Sequence, residues 1–260
     1  MTKRHALITG AGSGIGKAIA LALAADGHLV SLAGRRAAPL EAVQGEIFAS
    51  GGKALVRDGF DVTDPEAVER GISAAIAEAG DIAVLVNCAG EAPSAPFEKT
   101  DFALWQRVLS INLTGVYLVT QAALASLRRA GNGRIVNVAS TAGLTGYAYV
   151  SAYCASKHGV VGLTRALALE LARSDVTVNA VCPGFTDTPL IDGALDTISE
   201  KTGRSREEAR ASLARSNPQG RLVTPDEVAH TVSWLVSEKA TAITGQAIAV
   251  AGGEVLGGSR

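Results

Sequence analysis

The sequence predicts an α/β protein: a doubly wound, Rossmann-type parallel sheet of about seven strands with helices on both faces. Three observations lead there. Short apolar runs alternate with helix-period segments along the whole chain. Several of those runs are almost continuously hydrophobic, as strands buried on both faces are. Each strand–helix–strand repeat closes through a right-handed crossover, which places helices on the two faces of one sheet. No linker, low-complexity run or internal repeat breaks the 260 residues, so one domain over 1–260 is expected.

The strands are expected at 5–9, 29–33, 53–57, 83–87, 134–138, 176–182 and 246–250. Helices are expected at about 15–26, 39–50, 65–79, 102–130, 151–173 and 225–237. Thr224-Pro225-Asp226-Glu227 and Ser205-Arg206-Glu207-Glu208 both read as capping boxes at helix starts. The second opens a short helix inside an otherwise irregular stretch, 185–223. That stretch follows the carboxyl end of a strand, where open α/β sheets bind ligands, so 188–221 reads as a substrate lid. The alternative is a solvated surface excursion.

Composition excludes several function classes. Hydrophobic residues make up 47% and charged residues 19%, the profile of a packed enzyme rather than a disordered chain. The formal net charge of -1 gives no electrostatic case for nucleic acid or a membrane surface. No apolar run is expected to reach membrane-span length, and the N-terminus lacks a secretory pattern, so the cytoplasm is the expected location. Cys88, Cys154 and Cys182 have no metal-ligand spacing, and no metal site is expected.

Immediately after the first strand comes Thr9-Gly10-Ala11-Gly12-Ser13-Gly14-Ile15-Gly16, leading into a helix. Gly10, Ser13, Gly14, Ile15 and Gly16 form a turn through which backbone approaches a pyrophosphate at a helix N-terminus. The second strand ends in Leu32-Ala33-Gly34-Arg35-Arg36, with no carboxylate for the adenosine ribose and two guanidiniums suited to a 2′-phosphate. This favours NADP(H) over NAD(H). Asp61 and Val62 are placed to meet the adenine edge. Asn87, Ala89 and Gly90 supply a small-residue turn where the chain passes close to the cofactor.

Tyr153 and Lys157 lie four residues apart in a helical segment, so they share a face. Ser140 closes the fifth strand at the ligand-binding end of the sheet. Reducing a ketone needs a hydride, a proton for the developing alkoxide and a donor on the carbonyl oxygen. Tyr153 can supply the proton if its pKa falls from about 10, which an adjacent ammonium favours. Ser140 can donate to the same oxygen, and Lys157 can also hold ribose hydroxyls.

Taken together, Thr9–Gly16, Asn87–Gly90, Asn112-Leu113-Thr114-Gly115, Ser140, Tyr153–Lys157 and Pro183-Gly184 followed by Thr188 resemble the short-chain dehydrogenase/reductase family over nearly the whole chain. The resemblance implies a catalytic tetrad of Asn112, Ser140, Tyr153 and Lys157. Asn112 would interrupt the long helix, its carbonyl holding a water linked to Lys157. Pro183, Gly184 and Thr188 would line the nicotinamide. A homotetramer is also implied, and Val160, Val161, Leu163, Ala166, Leu167, Leu169 and Leu171 make the helix expected at 151–173 apolar around much of its circumference. Two positions depart from the pattern: Ser13 stands where NADP-preferring members often carry a basic residue, and Cys88 replaces a second Asn.

The tail, with Gly220–Pro225 and Ala251-Gly252-Gly253, is similar to 3-oxoacyl-thioester reductases, polyketide ketoreductases and 3-hydroxybutyrate dehydrogenases. The expected partner is therefore a small ketone or alcohol, with a coenzyme A- or carrier-protein-linked 3-oxoacyl chain as one reading. Under that reading some of Lys201, Arg204, Arg206, Arg210, Arg215 and Arg221 meet phosphates. The competing reading is a charge-balanced lid helix, since Asp192, Asp196, Glu200, Glu207 and Glu208 lie among them. An NAD-linked dehydrogenase of a small hydroxy acid and a catalytically silent NADP(H) sensor are the alternative functions. Fold alone does not separate them.

Overall fold

The computed structural model describes residues 4–255; residues 1–3 and 256–260 of the expected 1–260 domain lie outside the described residues. One sheet runs through the molecule in the order β3-β2-β1-β4-β5-β6-β7. Its strands are β1 His5–Thr9, β2 Leu29–Ala33, β3 Lys53–Arg57, β4 Ile82–Asn87, β5 Arg134–Val138, β6 Thr177–Pro183 and β7 Ala247–Val250. All pairings are parallel. The chain winds outward from β1 to β3, then crosses back to β4 beside β1. That reversal is the topological switch point at which open α/β sheets bind ligands.

Side chains alternate across the sheet as the pleat requires. Ala6 and Ile8 of β1 enter one apolar layer, and Leu7 enters the other. The first layer is covered by α1 Gly14–Ala25, α2 Ala37–Ala49 and α9 Pro225–Val236, through residues such as Ile19, Leu23, Leu40 and Val232. The second is covered by α3 Pro65–Ala79, α5 Gly115–Arg129 and α6 Ser151–Glu170, through Val68, Ile72, Val119, Leu127 and Ala168. β1, β4, β5 and β6 are buried along their whole length, which explains their mostly hydrophobic composition.

Both expected capping boxes form, at Ser205 and Thr224. At the second, Glu227 also takes a two-pronged ion pair from Arg221. Hydrogen bonds from Arg221 and from the Thr224 amide hold its carboxyl down at about 2.

Two sequence expectations need correction. The stretch 185–223 is not largely irregular: α7 Pro189–Thr202 precedes the expected short helix, α8 Arg206–Ala214. Ile191, Leu195 and Ile198 recur at helical spacing and, with Ala209 and Leu222, build a small apolar core under the excursion. Gly203, at φ +68°, ends α7 in the left-handed conformation. The second correction concerns span length. α4 Phe102–Leu109, a π-turn at Ser110–Thr114 and α5 form one continuous helix. Phe102–Arg129 is long and apolar enough to cross a membrane by length and composition. Its inner face (Val108, Val116, Val119, Ala123 and Leu127) is buried, as in a core helix.

Candidate active site

A cleft of about 760 Å³ opens at the carboxyl ends of the strands, beside the switch point. The glycine loop forms one end. Gly10 (φ +69°) and Gly14 (φ +52°) adopt backbone conformations that disfavour a side chain. A Cβ at Gly16 would lie 2.2 Å from the Gly10 carbonyl oxygen, so α1 can begin against the loop only with glycine there. A Cβ at Gly10 would meet the Ala89 backbone at 2.9 Å, which ties the loop to the turn after β4. Ser13 caps α1 in an extended conformation without a side-chain hydrogen bond, and it faces the cleft with Gly14, Ile15 and Gly16. These amides and the helix dipole suit a pyrophosphate.

Arg35 and Arg36 line the same end after β2 and make no ion pair among the described residues. Asp61 and Val62 line it too. Asp61 accepts from the Thr63 amide and hydroxyl, and the amide bond is the main reason its carboxyl sits below the usual range, with Arg35 contributing. A phosphorylated adenosine ribose fits this guanidinium pair. Gly12 was missed as a cleft residue; a Cβ there would press on Pro39 at 2.9 Å.

Ala89 and Gly90 line the middle of the cleft, but Asn87 does not. Its amide donates to Thr120 and Asn137, each at 2.9 Å, and the side chain lies buried in the sheet. The side chain of Asn87, expected near the cofactor, thus faces the sheet interior rather than the cleft. As the last residue of β4 it points into the layer between β4 and α5, and Asn137 passes the chain of bonds on to Thr164 of α6.

At the other end, Ser140, Tyr153 and Lys157 converge on the cleft. Ser140 is brought there by the end of β5, its hydroxyl accepting from the Ala142 amide at 3.1 Å. Lys157 is 5% exposed; it donates to the Val138 carbonyl at 2.8 Å, and its Nζ lies 5.6 Å from the centre of the Tyr153 ring. Burial pushes the Tyr153 phenol up to about 12, against a hydrogen bond from Ser140 that draws it down. Burial likewise lowers Lys157 to about 8. The tyrosine pKa therefore does not fall from 10 in this structure, because desolvation outweighs the hydrogen bond from Ser140.

Asn112 lies outside the cleft wall and is fully buried. It sits in the π-turn, where the expected interruption of the long helix occurs. Its side chain accepts from the Glu91 amide at 3.0 Å and donates to the Glu91 carbonyl at 2.8 Å. The turn after Gly90, a neighbour of Lys157, is held by this pair of bonds. Pro183, Gly184 and Thr188 line the cleft opposite, and a Cβ at Gly14 would touch Thr188 at 3.2 Å.

Three of the six lid cations are committed to ion pairs. Arg206 pairs with Asp192 and Asp196, Arg210 with Asp187, and Arg221 with Glu227. Sequence reasoning also missed Thr141, Tyr147, Tyr149 and Phe185 on the cleft wall. The exposed Tyr149 has φ +68°, alone among described non-glycine residues, and its carbonyl accepts from Ala95 across the cleft mouth at 2.8 Å. No residue spacing announces that contact.

Comparison with known proteins agrees with this geometry. A family model described as short chain dehydrogenase matches residues 4–198. A provisionally named ketoacyl reductase of Streptomyces coelicolor is 42% identical over 250 residues, 95% of each chain. The cis-4-hydroxycyclohexanecarboxylate dehydrogenase of Sinomonas cyclohexanicum is 42% identical over 253 residues, 96% of each chain. A crystal structure of an actinorhodin polyketide ketoreductase variant with NADPH superposes with TM-score 0.93 at 40% identity, covering 97% of each chain. With the seven-stranded sheet, the glycine loop after β1 and the Ser140–Tyr153–Lys157 cluster at the other end of one cleft, the chain belongs to the short-chain dehydrogenase family.

Proposed function

We propose that this protein is an NADP(H)-dependent oxidoreductase interconverting a ketone and a secondary alcohol, with Tyr153 as the proton donor and acceptor. The observation that carries the reading is the convergence of Ser140, Tyr153 and Lys157 at one end of a cleft whose other end is the glycine loop and Arg35–Arg36. NADP(H), held by Gly10–Gly16, Arg35, Arg36, Asp61, Val62, Ala89, Gly90 and Pro183–Thr188, supplies or accepts the hydride when bound.

The chain's own residues handle the proton. With its pKa near 12, Tyr153 is neutral at neutral pH and so holds the proton it donates to a developing alkoxide. Ser140 orients the carbonyl oxygen with a donor that needs no change of charge. Lys157 commits one of its three protons to Val138 and keeps the ammonium beside the phenol, where it offsets the phenolate left after donation. Asn112 positions the Gly90–Glu91 turn against Lys157.

A 3-oxoacyl chain on a carrier is the finer proposal, supported by the relatives named for ketoacyl reduction. The paired lid cations do not favour phosphate contacts at Arg206, Arg210 or Arg221. The 188–221 excursion is proposed as the lid, the cytoplasm as the location and a homotetramer as the assembly. The exposed Leu169 of α6 and Tyr117 of α5 fit covered faces between copies. NADPH oxidation with a panel of 3-oxo esters, thioesters and cyclic ketones tests the function. Loss of turnover in Tyr153→Phe with retained NADPH binding is the expected result; equal turnover in that variant contradicts it.

A further inference from the structure

The substrate end of the cleft contains ionisable groups that hydride and proton transfer do not use. Tyr147 lies on the wall, edge-on to Phe185 with ring centres 6.0 Å apart. Its hydroxyl is 2.8 Å from Thr141 Oγ1 and 2.8 Å from Glu254 Oε1, a residue 107 positions away in the turn after β7. Thr141 directly follows Ser140, so this chain of bonds begins one residue from the reacting centre.

A phenol has one proton to give. With Glu254 ionised, that proton goes to the carboxylate, and Tyr147 accepts from the Thr141 hydroxyl. Tyr147 then presents a lone pair to the cleft and no free donor. Glu254 Oε2 is buried and has no hydrogen-bond partner among the described residues. It lies 2.7 Å from where a Cβ would stand at Gly184, itself on the cleft wall, so the carboxylate occupies the space a side chain there would need. Glu254 makes no ion pair among the described residues, whereas Glu91, the other acid of this end, is neutralised by Arg107 at 2.9 Å. Among the described lining residues of this end, beyond Lys157, none is Lys or Arg.

We infer that Tyr147, backed by Glu254, is a specificity-determining group that selects neutral ketones and alcohols and rejects carboxylate-bearing ones. Tyr147 touches the substrate; Glu254 is a positioning residue that acts through it and through its uncompensated charge. The selection follows from Coulomb repulsion by the uncompensated Glu254 carboxylate and from the acceptor that Tyr147 presents. It separates this chain from the Sinomonas cyclohexanicum relative, whose name describes the carboxylate-bearing cis-4-hydroxycyclohexanecarboxylate.

This inference rests on the proposed ketone reduction, and the test keeps the two apart. Acetoacetate and its ethyl ester share the reacting ketone and differ in charge. With NADPH, the wild-type protein is expected to prefer the ester in kcat/KM by about tenfold or more. Glu254→Gln, which keeps a hydrogen-bonding partner for Tyr147, and Tyr147→Phe are each expected to narrow that ratio by about tenfold, chiefly through a lower KM for the anion. A purely structural role would lower both substrates together and leave the ratio alone. A wild-type ratio near one, or a ratio unmoved in both variants, overturns the inference. If neither compound turns over, reduction of 3-oxo compounds fails. The dissociation constants of the two compounds from the protein–NADPH complex, read by nicotinamide fluorescence, then decide the charge preference by the same criterion.

Discussion

The ammonium of Lys157 stands 5.6 Å from the centre of the Tyr153 ring and is bonded to the Val138 carbonyl at 2.8 Å, in a position that is 5% exposed. A cation held this deep has a cost, and the cost sets a pH dependence. The folded-state pKa near 8 lies below the unfolded value of 10.5. Between those values the unfolded chain binds the extra proton, so the lysine's contribution to stability rises with pH over that window.

Lys157→Met is therefore expected to lose turnover and gain stability. The shift corresponds to about 3 kcal/mol of desolvation at neutral pH, less whatever the lost bond to Val138 contributes. Urea unfolding should show the variant's advantage greatest below pH 8 and shrinking toward pH 10.5. An advantage independent of pH across that range would contradict buried charge as its source.

Two glycines should respond to alanine in opposite directions. Gly16→Ala places a methyl 2.2 Å from the Gly10 carbonyl oxygen, and is expected to cost about 1–3 kcal/mol and weaken NADPH binding. Gly45, within α2, has open space where its Cβ would stand. Gly45→Ala should stabilise by about 1 kcal/mol through helix propensity alone, with NADPH binding unchanged. Thermal unfolding and NADPH titration of the two variants read both effects.

The sheet was largely legible because its signal is local. Four strands, β1, β2, β3 and β5, fall where the apolar runs place them, since each is a short, mostly apolar run bounded by turn residues or a helix start. The glycine loop, Ser140, Tyr153 and Lys157 were legible because each carries chemistry at a fixed distance from an element's end. What escaped depends on distant contacts. Asn87 looks like a cofactor residue until Thr120 and Asn137 claim its amide. Tyr147 and Glu254 are 107 residues apart, and nothing in either neighbourhood predicts their bond. The tyrosine pKa was misjudged because a sequence shows the neighbouring cation and conceals the depth of burial.

Acid should destabilise the fold through two histidines. His5 is bonded to the Gly80 carbonyl and the Ser31 hydroxyl, and burial holds both His5 and His28 below their ordinary value of 6.5. The unfolded chain thus takes up protons first as pH falls through about 6.5, and the stability present above that pH is lost below it. Urea midpoints at pH 7.5 and 5.5 should differ in the wild-type protein, and by less in His5→Gln.

Cofactor choice should follow the guanidinium pair. Arg35→Ala combined with Arg36→Ala is expected to weaken NADPH binding by about ten- to a hundredfold, as loss of charge-assisted bonds to a phosphate implies. NADH binding should change little. Equal losses for both cofactors would assign these arginines to the loop's structure.

The most direct measurement is NADPH oxidation in the presence of a 3-oxo ester, compared between wild-type protein and Tyr153→Phe, with NADPH affinity determined for both. Removal of the general acid is expected to lower kcat by about 10²–10⁴ while the NADPH dissociation constant stays within about twofold. Undiminished turnover in Tyr153→Phe would contradict the assignment of proton transfer to this residue, and with it the central reading of the cleft.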